Sequence, residues 1–239
     1  MADSTNSIEN LRMLLIHLNE LKVGNLFSKD GDLINSGNDV WPNFALLNSI
    51  GQLQQHYELL NTQIIIFNLY QDQKQLLKSN NIFQLDYWYA MEKNKLSKFR
   101  SKQLFRVQEL SDLKIWADIA TSVFYPNNKS LFEIVKKVFQ SEKIDFFLFN
   151  NFETPIGTAM VFYDTQKAGV YFISIQKDHQ KLGYGKKLIL ELEGFICQKG
   201  IESIVLQSTR QGLEMYKKVG YSINEKINLF FKYERNRNI

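Results

Sequence analysis

Val170-Tyr171-Phe172-Ile173-Ser174-Ile175, then Gln176-Lys177-Asp178-His179-Gln180, then Lys181-Leu182-Gly183-Tyr184-Gly185-Lys186-Lys187, is the stretch that decides how the chain is built. Its first six residues are dominated by apolar, β-branched and aromatic side chains, which predicts a strand. A short polar connection and a glycine-bearing turn follow. Leu188, Ile189, Leu192, Phe195 and Ile196 then recur at three- and four-residue spacing, the mark of one apolar helix face. Gly200 stands after Lys199, where such a helix stops.

The turn has a physical use. Gly183 and Gly185 carry no Cβ, so the backbone can approach a ligand closely. The first amides of the helix have no intrahelical acceptor and lie at the positive end of its dipole. That is an anion site suited to a diphosphate, and Lys181, Lys186 and Lys187 add positive charge. Glycine spacing alone leaves two readings open, an anion-binding turn and an ordinary strand-to-helix connection. No Gly-Lys-Ser/Thr ends the turn, so it is not a P-loop. Leu188 stands where a dinucleotide fingerprint needs its third glycine.

Gln180-Lys181-Leu182-Gly183-Tyr184-Gly185 resembles the Q/R-x-x-G-x-G/A motif of the GCN5-related N-acetyltransferases, the GNAT superfamily. Downstream, Met215-Tyr216-Lys217-Lys218-Val219-Gly220-Tyr221 is similar to that family's LYxxxGF segment, and Gly157-Thr158-Ala159 to its GxA strand. The resemblance covers roughly the last 140 residues. It implies an α/β (α+β) acyl-CoA N-acyltransferase fold, with a mixed, mostly antiparallel sheet flanked by helices. It further implies transfer of an acetyl group from acetyl-CoA, as co-substrate, to a primary amine by direct attack in a ternary complex. The alternative is a non-catalytic CoA-binding or protein-interaction module on the same fold.

By this resemblance Ile173, Ser174 and Ile175 hold the pantetheine arm through their backbone. The amides of Lys181, Leu182, Gly183, Tyr184, Gly185 and Lys186 hold the diphosphate. Tyr216 falls on the family's tyrosine and is expected both to contact the cofactor and to protonate the leaving thiolate, since a phenol stays protonated at neutral pH. Thr209 stands where many members have Asn, a further cofactor contact. The general base is not identifiable: Val170, Tyr171 and Phe172 carry no carboxylate. Asp145, Glu153 and Asp164 qualify by chemistry alone, and a water relay serves equally. His179 reads as structural or exposed, and Cys197 as a structural thiol. No His or Cys spacing suggests a metal.

Composition sets bounds. The chain has 239 residues, 44% hydrophobic and 13% aromatic, enough for a packed core. A net charge of +4 without a clustered patch makes no case for nucleic acid. Cys197 is the sole cysteine, so no internal disulfide can form, which suits a reducing cytosol. Residues 1–10 lack the basic-then-apolar order of a signal peptide, and no apolar run is long enough for a bilayer. A cytoplasmic protein is expected, with an amine acceptor, no membrane partner, and a homodimer left open.

Upstream, Leu11, Leu14, Leu15, Leu18 and Leu21 predict an amphipathic helix over 7–23. Residues 29–38 read as a turn region, 52–61 and 72–79 as helices, and 64–70 and 84–91 as strands. This order suggests a degenerate, smaller GNAT-like half at 1–98, preceding an acetyl-CoA-binding domain at 99–239; a family-specific extension is the other reading. Residues 92–102 read as the linker. A helix capped by Ser111, a capping box at Ser130-Leu131-Phe132-Glu133 and a final pair of strands over 221–233 complete the expectation. Trp41, Pro42 and Asn43 form an unusual cluster, either a wall of the acceptor pocket or a packed strand end.

Overall fold

The computed structural model describes residues 7–29, 32–36, 41–47, 63–66, 82–126 and 130–232. The predicted helices at 52–61 and 72–79, and the end of the strand predicted over 64–70, lie outside these residues. Helix α1 (Ser7–Glu20) is followed by β1 (Asn25–Lys29), β2 (Asp32–Ser36), β3 (Phe44–Leu47), β4 (Gln63–Ile66), β5 (Ile82–Lys93) and β6 (Leu104–Arg106). Then come α2 (Leu110–Phe124), α3 (Phe132–Val138), β7 (Ile144–Asn151), β8 (Thr154–Tyr163) and β9 (Ala168–Ile175). A 3-10 turn (Lys177–His179) leads into α4 (Tyr184–Gln198), β10 (Ile204–Thr209), α5 (Leu213–Lys218) and β11 (Ser222–Lys232).

The described strands form one sheet in the order β1-β2-β3-β4-β11-β5-β10-β9-β8-β7-β6. Only β3–β4 and β9–β10 are parallel; the other neighbours are antiparallel. Both faces are buried, and β7 shows why. Phe146 and Leu148 enter the core beneath α1, α2 and α3, while Phe147 and Phe149 enter the core beneath α4 and α5. Strand alternation sends successive side chains to opposite faces, and both faces here are covered by helices. Each such side chain contributes about 1.5–3 kcal/mol of burial. Leu11, Leu14, Leu15 and Leu18 seat α1 on the first face, and Leu188, Ile189, Leu192 and Ile196 seat α4 on the second.

Strand β5 lies between β10 and β11, paired antiparallel with β11 from Ile82 to Glu92 and with β10 from Trp88 to Lys93. A strand of the first expected half is thus a middle strand among those of the second. Polar ties fasten it. Lys167 Nζ reaches the Glu92 carboxylate at 2.6 Å, with Ser203 Oγ and Asn224 Nδ2 also donating to it. Burial alone would raise that carboxyl; Lys167, Asn224 and Ser203 outweigh it and hold the group below the ordinary carboxylate range. Lys93 pairs with the fully buried Glu193 at 2.7 Å. The neighbouring buried Glu191 accepts from Ser101 Oγ and from the amides of Gln103 and Leu104, fixing the entry into β6.

Several local expectations change. The turn region predicted over 29–38 carries strand β2 after the end of β1, and the two pair as a hairpin. Glu92 and Lys93 belong to β5, so the irregular connector begins at Asn94. Helix α2 starts after Glu109 with no side-chain cap, and Ser111 lies inside it. Ser130 accepts from the Phe132 amide at 3.2 Å, but α3 begins after Leu131 without a capping box. The described C-terminal region is one long strand, β11, not a pair.

Candidate active site

Strands β9 and β10 run parallel for three residue pairs, Ala168–Ile204, Gly169–Val205 and Val170–Leu206, and then part. Beyond that point β10 stays with β5 as far as Thr209–Trp88, and β9 stays with β8 as far as Ile175–Gly157. Among the described residues no strand pairs with β9 on its other side beyond Val170.

A bulge opens this edge. Between the pairs Met160–Tyr171 and Thr158–Ser174, β9 has two residues, Phe172 and Ile173, opposite the single Ala159 of β8. Phe172 has φ +51°, the left-handed conformation that such a bulge ordinarily gives to glycine. The bulge reverses which residues turn their backbone toward the gap. The Ala168 amide bonds to Ser203 O on the β10 side, whereas the Gln176 amide, an even number of residues later, bonds to Ile156 O on the β8 side. Counting back from Gln176, the backbone groups of Ile173 and Ile175 face the open edge. Gln180 Nε2 donates to Ile175 O at 2.8 Å, tying the connection to the strand end.

Several contacts hold the bulge. Thr158 Oγ1 donates to Phe172 O at 2.9 Å and lies 2.6 Å from Ser174 Oγ. The Phe172 ring makes edge-on contacts with Trp41, Trp116 and Phe124 at centroid distances of 5.1, 5.4 and 5.4 Å. A left-handed non-glycine residue costs about 1–2 kcal/mol. Each aromatic contact returns about 0.5–1.5 kcal/mol, so the ring cluster offsets the strain.

The turn before α4 is open. Gly183, at φ +83°, is the N-cap of α4, which has no side-chain cap. A Cβ on Gly183 would meet nothing within 4 Å, and Leu182 is 64% exposed. Lys181 is also left-handed, at φ +62°. The amides of Tyr184, Gly185 and Lys186 have no acceptor within the helix. Lys181, Lys186 and Lys187 are exposed around them. A Cβ on Gly185 would lie 3.0 Å from Met215 Sδ, so this turn touches α5, the helix that carries Tyr216.

Tyr216 is 7% exposed, and its ring meets that of Tyr221 at 5.5 Å. Burial pushes its phenol above the ordinary tyrosine range. A Cβ on Gly212 would lie 3.1 Å from both the Tyr216 ring and Ser208 Oγ, which places Ser208 beside Tyr216. Thr209 is exposed and accepts from the Gly212 amide through its carbonyl at 3.2 Å and its hydroxyl at 3.4 Å. Ser174 is buried, its hydroxyl engaged with Thr158.

The carboxylates considered as bases are otherwise engaged or exposed. Asp145 binds Arg106, Lys199 and the Tyr163 hydroxyl. Asp164 accepts from Asn10 Nδ2 and from the amides of Gln166 and Lys167. Glu153 is exposed in the turn between β7 and β8. His179 packs against Tyr184 at 6.3 Å. His17 bonds Glu20 and Ser141. Among the described residues no group of His, Cys, Asp and Glu is arranged to hold a metal, and no helix is long and apolar enough to cross a membrane. Sequence reasoning missed Phe172 and Thr158, since nothing local marks a bulge there. Gln180 was visible only as a motif letter.

The chain superposes on a GCN5-related N-acetyltransferase from Kribbella flavida with a TM-score of 0.66 at 10% identity, over 98% of this chain and 97% of that one. A conserved protein of unknown function from Staphylococcus epidermidis ATCC 12228 gives 0.63 at 10%, over 88% and 95%. A GCN5-related N-acetyltransferase-like protein from Streptococcus suis 89/1591 gives 0.59 at 12%, over 94% and 99%. At such identities the likeness establishes the fold. No curated protein matches the sequence. The model of the acetyltransferase (GNAT) family matches residues 113–221, a span that holds the parted strands, the open turn and Tyr216. Residues 113–221 therefore belong to an acetyltransferase domain of the GNAT family.

Proposed function

We propose that the protein is an N-acetyltransferase that uses acetyl-CoA and a primary amine in a ternary complex. The observation that carries this reading is the open backbone edge at Ile173 and Ile175, leading into the uncapped, unobstructed turn at Gly183. An extended pantetheine arm has the hydrogen-bonding groups to pair with such an edge, and a diphosphate has the charge to sit on the first turn of α4. Acetyl-CoA supplies an activated thioester. An amide of the open edge, from Ile175 or a neighbour, stabilises the oxyanion as the amine adds. The nitrogen–carbon bond forms and the carbon–sulfur bond breaks. Tyr216 gives its phenolic proton to the departing thiolate, and the amine's proton leaves through water. We further propose that residues 1–98 are a GNAT-like half, one of whose roles is set out below.

The test is acetyl-CoA titration of the wild type and Gly183→Glu. The substitution meets no steric block, but it adds strain at a positive φ and a negative charge where the diphosphate would lie. Affinity is expected to fall by about a hundredfold or more, since each 1.4 kcal/mol is a factor of ten. Unchanged affinity overturns the assignment.

A further inference from the structure

The cluster around Phe172 has a contributor from far away in sequence. Trp116 and Phe124 belong to α2, within the matched domain, but Trp41 comes from the N-terminal segment just before β3. Trp41 is 6% exposed, and its 5.1 Å ring contact with Phe172 is the shortest of the three. The residue it meets is the one held at φ +51°, and that conformation decides which backbone groups face the gap. Without the extra residue in β9, strand alternation would turn Ser174 toward the gap and Ile173 and Ile175 toward β8. A slip at Phe172 therefore changes the binding edge itself.

We propose that Trp41 is a positioning residue for the acyl carrier: it braces the Phe172 ring and so holds the bulge that presents Ile173 and Ile175. The N-terminal segment then acts on the cofactor side of the reaction through one aromatic contact, without touching the cofactor. This rests on the cofactor reading given above. Thr158 braces the same bulge from the backbone side through its bond to Phe172 O.

Two readouts test it together: hydrogen exchange of the ligand-free protein along β9, and acetyl-CoA affinity. Trp41→Ala is expected to raise exchange at Ser174 and Gln176 by about tenfold while the Gly169 and Tyr171 amides stay protected. Acetyl-CoA affinity is expected to fall by a similar factor, the size of one lost aromatic contact. Trp41→Phe keeps an aromatic brace and restores both. Trp41→Ala combined with Phe172→Gly also restores both, because glycine takes the left-handed conformation with no ring to hold. Loss of protection spread evenly along β9, unchanged exchange at Ser174 and Gln176, or failure of the glycine rescue overturns the inference. If the wild type does not bind acetyl-CoA, the cofactor reading fails, and the exchange pattern still decides whether Trp41 braces the bulge.

Discussion

At the scale of the residue, the proposed chemistry falls on Tyr216. Its phenol is held above the ordinary tyrosine range by burial, so it stays protonated throughout neutral and mildly alkaline pH. Tyr216→Phe is expected to lower kcat by about 100-fold, the lower range for a lost general acid, with little change in the KM for acetyl-CoA. Steady-state kinetics check this, and a KM effect with kcat intact would mean the hydroxyl only binds. Because the folded-state phenol titrates above its usual value, the wild-type rate should show no loss from this group below about pH 10. Tyr216 was legible because a short motif names its position. Phe172 was not: a bulge of this kind ordinarily calls for glycine, and here three distant rings and the Thr158 hydroxyl make an aromatic tolerable.

At the scale of the element, β8, β9 and α4 form one packed unit, and Gly157 shows how tightly. A Cβ there would lie 2.6 Å from Ile175 Cδ1, 2.7 Å from Ser174 O and 3.3 Å from Leu188 Cδ1. The side chains can rotate, but Ser174 O is backbone and moves only with β9. Gly157→Ala is expected to cost about 2–3 kcal/mol, read as a lowered midpoint in denaturant unfolding, and to weaken acetyl-CoA binding as the edge shifts. A variant as stable as the wild type would show that the strands yield freely. Elements with a strong apolar pattern, α1, β9 and α4, could be read directly from that pattern. The hairpin of β1 and β2 could not, because Gly31, Asp30, Asp32 and their neighbours carry a turn signal that hides strands only five residues long. The helix starts at α2 and α3 were misplaced for a related reason. Ser111 and Ser130 are good capping types, but tertiary packing set the boundaries elsewhere.

At the scale of the whole molecule, tyrosines are spread through the interior. Burial raises Tyr125 to about 12. Burial also raises Tyr163, Tyr171, Tyr216 and Tyr221, helped by Asp145 at Tyr163, Asp164 at Tyr171 and Glu193 at Tyr221. Below about pH 10 both folded and unfolded chains keep these protons, and stability does not depend on them. Above it the unfolded chain releases protons that the folded chain retains, so stability falls with rising pH. The thermal midpoint should therefore drop steeply above about pH 10, with tyrosinate absorbance and loss of circular dichroism rising together. Gradual ionisation of the intact fold would contradict this. The strand order was the least legible feature, since the place of β5 between β10 and β11 joins residues more than a hundred positions apart.

That placement bears on how the chain comes apart. The stretch from Asn94 to Lys102 is largely exposed and irregular, which offers a protease a place to cut. The pieces should nevertheless co-migrate in gel filtration as one particle, zipped along both flanks of a single shared stave. A gene fragment opening at residue 99 would lack that stave, leaving two raw margins to find each other or another copy, and should be recovered as aggregate.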